Sequence, residues 1–224
     1  MSKVLFITGT DTGVGKTVLT ALLVRLLRAR QVNVAAFKPV CSGGRADALA
    51  LHAALAGTLT LAEINPWHFR APIAPVLAAR REHKTVKLSQ VLAHIRAGNN
   101  RFAMIVVEGA GGLLSPLGED FDSRDLIAAL RATPVIVASN KLGAVNHVLL
   151  TLAALPPNLR GKARVVLMSP AKPDAATAAN AELLGDFMPA EKILTLPWLG
   201  KKFSTEKFFI RPELEGVLEK LAPR

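Results

Sequence analysis

The sequence predicts an α/β fold with a mostly parallel sheet and helices on both faces. Short, continuous apolar runs at 4–7, 32–37, 102–107, 134–139, 164–168 and 192–196 read as buried strands. Stretches of helical periodicity lie between them, so strands and helices alternate, as in a parallel sheet joined by crossover helices. A chain of 224 residues can bury one large core, and no repeat, low-complexity stretch or linker marks a boundary. Residues 1–224 are therefore expected to form a single domain.

The first strand, 4–7, runs into GTDTGVGKT at 9–17 and then into a helix at 18–30. A strand, a tight loop and a helix in that order make a phosphate cradle, because backbone N–H groups and the helix N-terminus present positive potential to an anion. In such a loop Lys16 reaches the terminal phosphates and the Thr17 hydroxyl holds magnesium. The strict pattern asks for glycine where Thr10 stands, with Gly9 one place early, so the motif is met approximately.

The second strand, 32–37, ends in Lys38-Pro39-Val40-Cys41-Ser42-Gly43. Residues just past a strand's C-terminal end line the ligand crevice of an open α/β sheet, which puts Lys38 and Ser42 beside the phosphate loop. Taken singly, Lys38 reads better as a surface cation at a loop. A helix at 45–56 carries Asp47 near its start, where an acidic residue also suits the helix dipole, and Gly57 stops it. Pro66, Pro72 and Pro75 break 61–81 into a crossing loop with at most short helical turns. A helix follows at 88–97.

The strand at 102–107 leads directly into Glu108-Gly109-Ala110-Gly111-Gly112. A carboxylate there suits magnesium, or else caps the turn, and the glycines let backbone approach a ligand. A helix at 120–131, capped near Asp122 or Ser123, precedes the strand at 134–139 and then Asn140-Lys141-Leu142-Gly143. The next helix, 144–155, begins behind Gly143, leaving free N–H groups able to bind a carboxylate, and Pro156-Pro157 ends it. A strand at 164–168, a helix at 175–188, a strand at 192–196 ending at Pro197 and a helix at 212–221 complete the chain.

Composition narrows the chemistry. The lone Cys41 excludes an intrachain disulfide framework and reads as a small buried packing group, and the five histidines lack metal-ligand spacing. The formal charge of +11 comes from lysines and arginines scattered in ones and twos, without a nucleic-acid module, so a basic surface attracting small anionic substrates is expected rather than nucleic-acid binding. No apolar run reaches the roughly 18–20 residues that span a bilayer. The start runs straight into a strand without a signal peptide, so a cytoplasmic protein with no membrane association is expected.

Several separated blocks, in order, resemble the dethiobiotin synthetases, biotin-pathway members of the P-loop NTPases. They are GTDTGVGKT at 9–17, with the Thr10 that broke the general pattern, KPVCSG at 38–43, DALAL at 47–51, VVEGAGGLLSPL at 106–117 and KLGAVNH at 141–147. The resemblance implies a P-loop NTPase fold and an ATP-dependent ring closure, in which 7,8-diaminononanoate and carbon dioxide give dethiobiotin, ADP and phosphate. It implies that Lys16 holds the β and γ phosphates, with Thr12, Gly13, Val14, Gly15 and Val18 around the nucleotide, and that Thr17, Asp47 and Glu108 hold magnesium. Thr12, Lys38 and Ser42 would surround the carbamate and the transferring phosphoryl, with Gly111 also on the substrate. Ser169, Pro197 and Leu199 would flank the base. The family acts as a homodimer, and Gly143, Ala144, Val145 and Asn146 resemble the helix start that receives the substrate carboxylate from the partner subunit.

One block departs from that pattern. Ser169-Pro170 stands where the family usually carries Asn-Asp, and a hydroxyl cannot offer an amide's paired donor and acceptor to adenine. Use of several nucleoside triphosphates is therefore expected. A nucleotide-switch ATPase of the partitioning or iron-protein type, acting through a protein partner, is the alternative from another class. Those proteins usually carry a second lysine early in the loop, and Gly9-Thr10-Asp11 has none.

Overall fold

The structure, a computed structural model, describes residues 2–98, 100–200 and 212–222. The chain opens with β1 (Lys3–Gly9) and α1 (Lys16–Ala29), then β2 (Val34–Phe37), β3 (Val40–Ser42) and α2 (Ala46–Ala54). It crosses through α3 (Leu61–Ile64), β4 (Trp67–Phe69), α4 (Pro75–Arg81) and α5 (Leu88–Arg96) to β5 (Met104–Glu108). The second half runs α6 (Ser123–Leu130), β6 (Thr133–Ser139), α7 (Ala144–Ala154), α8 (Pro157–Arg160), β7 (Arg164–Met168), α9 (Ala175–Gly185), β8 (Ile193–Leu196) and α10 (Pro212–Glu219).

Six strands form one sheet in the order β2-β5-β1-β6-β7-β8, and every pairing in it is parallel. Consecutive residues of a strand face opposite sides, yet Leu5, Phe6 and Ile7 of β1, Ile105, Val106 and Val107 of β5 and Val135, Ile136 and Val137 of β6 are all fully buried. Both faces of the sheet are thus covered. In α1, Leu19, Leu22, Leu23, Leu26 and Leu27 recur at helical spacing, and all five are buried. Each such leucine contributes roughly 1.5–3 kcal/mol by leaving water. Further along the chain, an Asp122 side chain caps α6 by accepting from the Arg124 and Asp125 N–H groups.

The chain turns back at β1: it leaves β1 for β2 on one side, and leaves β5 for β6 on the other. The C-terminal ends of β1 and β5 therefore flank the place where successive connections part, and a crevice opens there. Register sharpens this, since Ile7 lies beside Glu108 and Phe37 beside Val107. Lys38, one residue beyond β2, thereby comes level with Glu108.

The expectation for 61–81 needs correction. That stretch holds a strand and the seven-residue helix α4 as well as a short helical turn. Trp67, His68 and Phe69 pair in parallel with Val40, Cys41 and Ser42, forming a second, two-stranded sheet. The prolines did not prevent this. Pro75 sits at the first position of α4, where its missing N–H costs nothing, and Pro157 likewise starts α8 just after α7 ends.

Candidate active site

The loop between β1 and α1 is shaped by two glycines with left-handed backbone, Gly13 at φ +75° and Gly15 at φ +98°. Any side chain at Gly15 would be strained, and a Cβ there would come within 2.9 Å of Met168 Cε. The loop walls a recess of about 760 Å3 that is also lined by Lys16, Thr17, Lys38, Ser42, Asp47 and Gly111. A volume of this order suits a small-molecule site.

Charge is concentrated at its floor. Lys38 is 2% exposed, and its Nζ lies 2.7 Å from Asp47 Oδ2 and 2.6 Å from Glu108 Oε1. Thr17 donates its hydroxyl to the same Glu108 oxygen at 2.7 Å. Burial works against the Lys38 ammonium, but the two carboxylates outweigh it and hold its pKa above the ordinary lysine value. Asp47 is likewise penalised by burial, and Lys38 nevertheless pulls its pKa below the usual carboxylate range. Lys16 behaves in the opposite way. Burial, reinforced by the nearby Lys38 charge, lowers its pKa to about 8, and its Nζ donates to the Asp11 carbonyl at 2.7 Å.

These residues fit a hard divalent cation bound through a phosphate ligand. Thr17, Asp47 and Glu108 are oxygen donors, and Glu108 Oε2 is buried without a hydrogen-bond partner. Among the described residues no group of three or more His, Cys, Asp or Glu stands ready to hold a metal by itself. Magnesium bound by one or two carboxylates, retained waters and substrate phosphates has this kind of donor set.

A second recess, of about 420 Å3, shares Gly13, Gly15 and Val18 with the first and extends to Val14, Asn140, Met168, Ser169, Pro170, Pro197, Trp198 and Leu199. The ends of β6, β7 and β8 assemble it, because Ser139, Met168 and Leu196 lie side by side in register. Among the described residues Asn140 is the one amide side chain in this wall, and it is already engaged. Its Nδ2 donates to the Thr177 carbonyl at 3.0 Å and its Oδ1 accepts from Asn180 at 2.8 Å.

A family model described as an AAA domain matches residues 3–202. The chain is 42% identical over 199 residues to the ATP-dependent dethiobiotin synthetase of Anaeromyxobacter dehalogenans, covering 87% of this chain and 89% of that one. The chain belongs to the dethiobiotin synthetase family. The dethiobiotin synthetase of Bacillus licheniformis is 44% identical over 154 residues, 66% of either chain. Among solved structures, pNOB8 ParA bound to nonspecific DNA superposes with a TM-score of 0.55 at 12% identity, covering 99% of this chain and 92% of that one. FtsY of Elizabethkingia anophelis in complex with GDP gives 0.53 at 12% identity, with 100% and 64% covered. At such identities the two share the fold with this dethiobiotin synthetase family member and nothing more.

Most of the residues singled out from sequence do come together. Thr12, Gly13, Gly15, Lys16, Thr17, Val18, Lys38, Ser42, Asp47 and Gly111 line the first recess, and Val14, Ser169, Pro197 and Leu199 the second. Glu108 lies beneath the first recess, fully buried. Gly143, Ala144, Val145 and Asn146 line neither recess; Gly143, at φ +85°, caps the start of α7 instead. Cys41 is buried as expected, but at the recess wall.

Other contributors escaped the sequence reading. Pro72, Ile73, Ala74 and Pro75 close one side of the first recess, and Ser115 and Pro116 another. Asn65, 2% exposed, donates to the Lys38 carbonyl at 2.7 Å while Lys38 N–H donates to Ile64 O at 2.9 Å, so the lysine backbone is clamped from α3. The three prolines in 61–81 were the available signal that this crossing has a fixed path.

Proposed function

We infer that the protein is an ATP-dependent dethiobiotin synthetase, closing the ureido ring of dethiobiotin from 7,8-diaminononanoate and carbon dioxide with release of ADP and phosphate. The observation that carries this is the buried Lys38 ammonium, held by two carboxylates at the floor of the same recess as the phosphate loop. One amine of the substrate takes up carbon dioxide as a carbamate, whose oxygen attacks the γ-phosphorus. The second amine then attacks the activated carbonyl and expels phosphate. Protein catalysis of such a sequence consists chiefly of positioning and charge neutralisation.

Each recess residue has a part in that scheme. Lys16 neutralises the β and γ phosphates across the loop N–H groups of Gly13, Val14 and Gly15, with Thr12 and Val18 beside them. Thr17, Asp47 and Glu108 would hold magnesium, which when bound would offset charge on the triphosphate. Lys38 stabilises charge on the carbamate and the transferring phosphoryl. Ser42 donates its proton to the Ile73 carbonyl at 2.6 Å, so its oxygen offers a lone pair to a substrate amine N–H. Gly111, at φ +69°, brings backbone close to the same substrate.

The base occupies the second recess, between Ser169 and the segment Pro197, Trp198 and Leu199 that follows β8. With Asn140 engaged elsewhere, adenine meets no free side-chain amide among the described residues there, which supports use of several nucleoside triphosphates. We place the protein in the cytoplasm as a homodimer. Leu114, Leu142 and Leu150, at 52%, 83% and 61% exposure, give α7 and its surroundings an apolar surface for a second copy. In that dimer the α7 start, Gly143 to Asn146, receives the carboxylate of substrate bound in the partner's recess. Among the described residues no helix is long and apolar enough to cross a membrane.

The test is direct. Protein incubated with diaminononanoate, bicarbonate, magnesium and ATP should yield dethiobiotin by mass spectrometry. Absence of product with ATP, CTP and GTP alike would overturn the assignment.

A further inference from the structure

The two carboxylates assigned to the cation are already bridged by a side chain of the protein. Lys38 Nζ contacts Asp47 Oδ2 and Glu108 Oε1 together, and Thr17, the third oxygen donor, spends its hydroxyl proton on that same Glu108 oxygen. An ammonium and a divalent cation place the same demand on a carboxylate, so the two compete for these oxygens. The recess floor is also balanced as it stands. Lys16 and Lys38 carry two positive charges against the two negative charges of Asp47 and Glu108. A divalent cation entering alone would leave this set, buried apart from the half-exposed Asp47, strongly positive, whereas a cation entering with a triphosphate would not.

The lysine can yield without disturbing the fold. Its backbone is fixed at both ends of the peptide unit by Ile64 and Asn65, so only the flexible four-carbon stem has to move. The recess that it lines also contains Lys16, Thr12 and Ser42. We propose that Lys38 gates the metal site: its ammonium excludes free divalent cation from Asp47 and Glu108, and swings to the reacting oxyanions only when metal arrives together with the triphosphate. No bond forms or breaks in this step, and the proton stays on the amine. The gate couples metal binding to nucleotide binding through one side chain, and it delivers the catalytic charge at the moment when the phosphates are in place.

The proposal rests on the metal assignment made above, but its test does not pass through ring closure, so a protein that formed no dethiobiotin could still pass or fail it. Free Mn2+ is titrated by electron paramagnetic resonance without nucleotide. Lys38→Met should bind Mn2+ about tenfold more tightly than the wild type, and Lys38→Arg, which keeps the charge, should bind it as weakly. Equal Mn2+ affinity in Lys38→Met and wild type overturns the gate. Because Lys38→Met leaves Glu108 without its cation, a second measurement uses the wild-type protein labelled with 15N-lysine. The Lys38 ammonium resonance, identified by its loss in Lys38→Arg, should stay in place with Mg2+ alone and shift with Mg2+ plus a nonhydrolysable ATP analogue. A shift with Mg2+ alone, or none with the metal–nucleotide pair, overturns it.

Discussion

Lys16 and Lys38 line one recess, yet their charges are perturbed in opposite directions, because only Lys38 has carboxylates in contact. In the proposed role, phosphate binds the ammonium form of Lys16, whose pKa burial and the Lys38 charge lower to about 8. Affinity for a nonhydrolysable ATP analogue should therefore be flat below about pH 8 and fall as pH rises beyond it, by up to about tenfold per unit. Calorimetric titration from pH 7 to 9.5 checks this, and Lys16→Met should be weak and show no such slope. Lys38→Ala should keep nucleotide affinity within a few-fold while lowering ring closure about 100-fold or more, whereas Lys16→Ala should weaken both. The reverse pattern in binding and single-turnover assays would mean that the two roles are exchanged. In the second recess, Ser169→Asn adds a donor and acceptor pair and should raise the preference for ATP over CTP and GTP in competition. Lys38 and Glu108 were legible in the sequence because each follows an apolar run, and such runs end at the crevice. Asn65 and Asn140 were not, since each amide is paired with groups 26 to 40 residues away and nothing local distinguishes it from a turn residue.

At the level of elements, the phosphate loop depends on backbone that only glycine adopts easily. Gly15→Ala would force a left-handed residue and push on Met168, at a cost of about 1–2 kcal/mol. For a chain of this size the melting temperature should fall by roughly 2–8 °C, with a larger loss in nucleotide affinity because the loop N–H groups are turned away. Calorimetry in the presence and absence of nucleotide separates the two effects. Strands of the main sheet could be read because continuous apolar runs survive burial on both faces. The pair β3–β4 could not, because three residues are too few to show a period, and its two halves lie 25 residues apart with a histidine and a serine among them. Helix α4 was hidden for a related reason: Pro75 looks like a breaker in the sequence but stands at a position where helices accept it.

Over the whole molecule, the parallel order β2-β5-β1-β6-β7-β8 brings six strand ends to one edge, and the two recesses lie along it. Leu114, Leu142 and Leu150 line neither recess, so association and nucleotide binding should be separable. Leu150→Asp is expected to shift the protein to monomer in sedimentation velocity, leave nucleotide affinity unchanged and impair ring closure. The fold class was evident from alternation alone. The surface proposed for a second copy was not, because an exposed leucine looks the same in sequence whether it faces water or a partner.

Cys41 is the only cysteine among 224 residues, and it lies in the wall of the first recess, 5% exposed, with its thiol pKa raised by burial. Thiol reagents therefore have one address in this sequence, and its burial predicts slow labelling that quickens with any opening of the recess. The native chain carries a single-site clock for active-site opening, read as a labelling rate without any engineered probe.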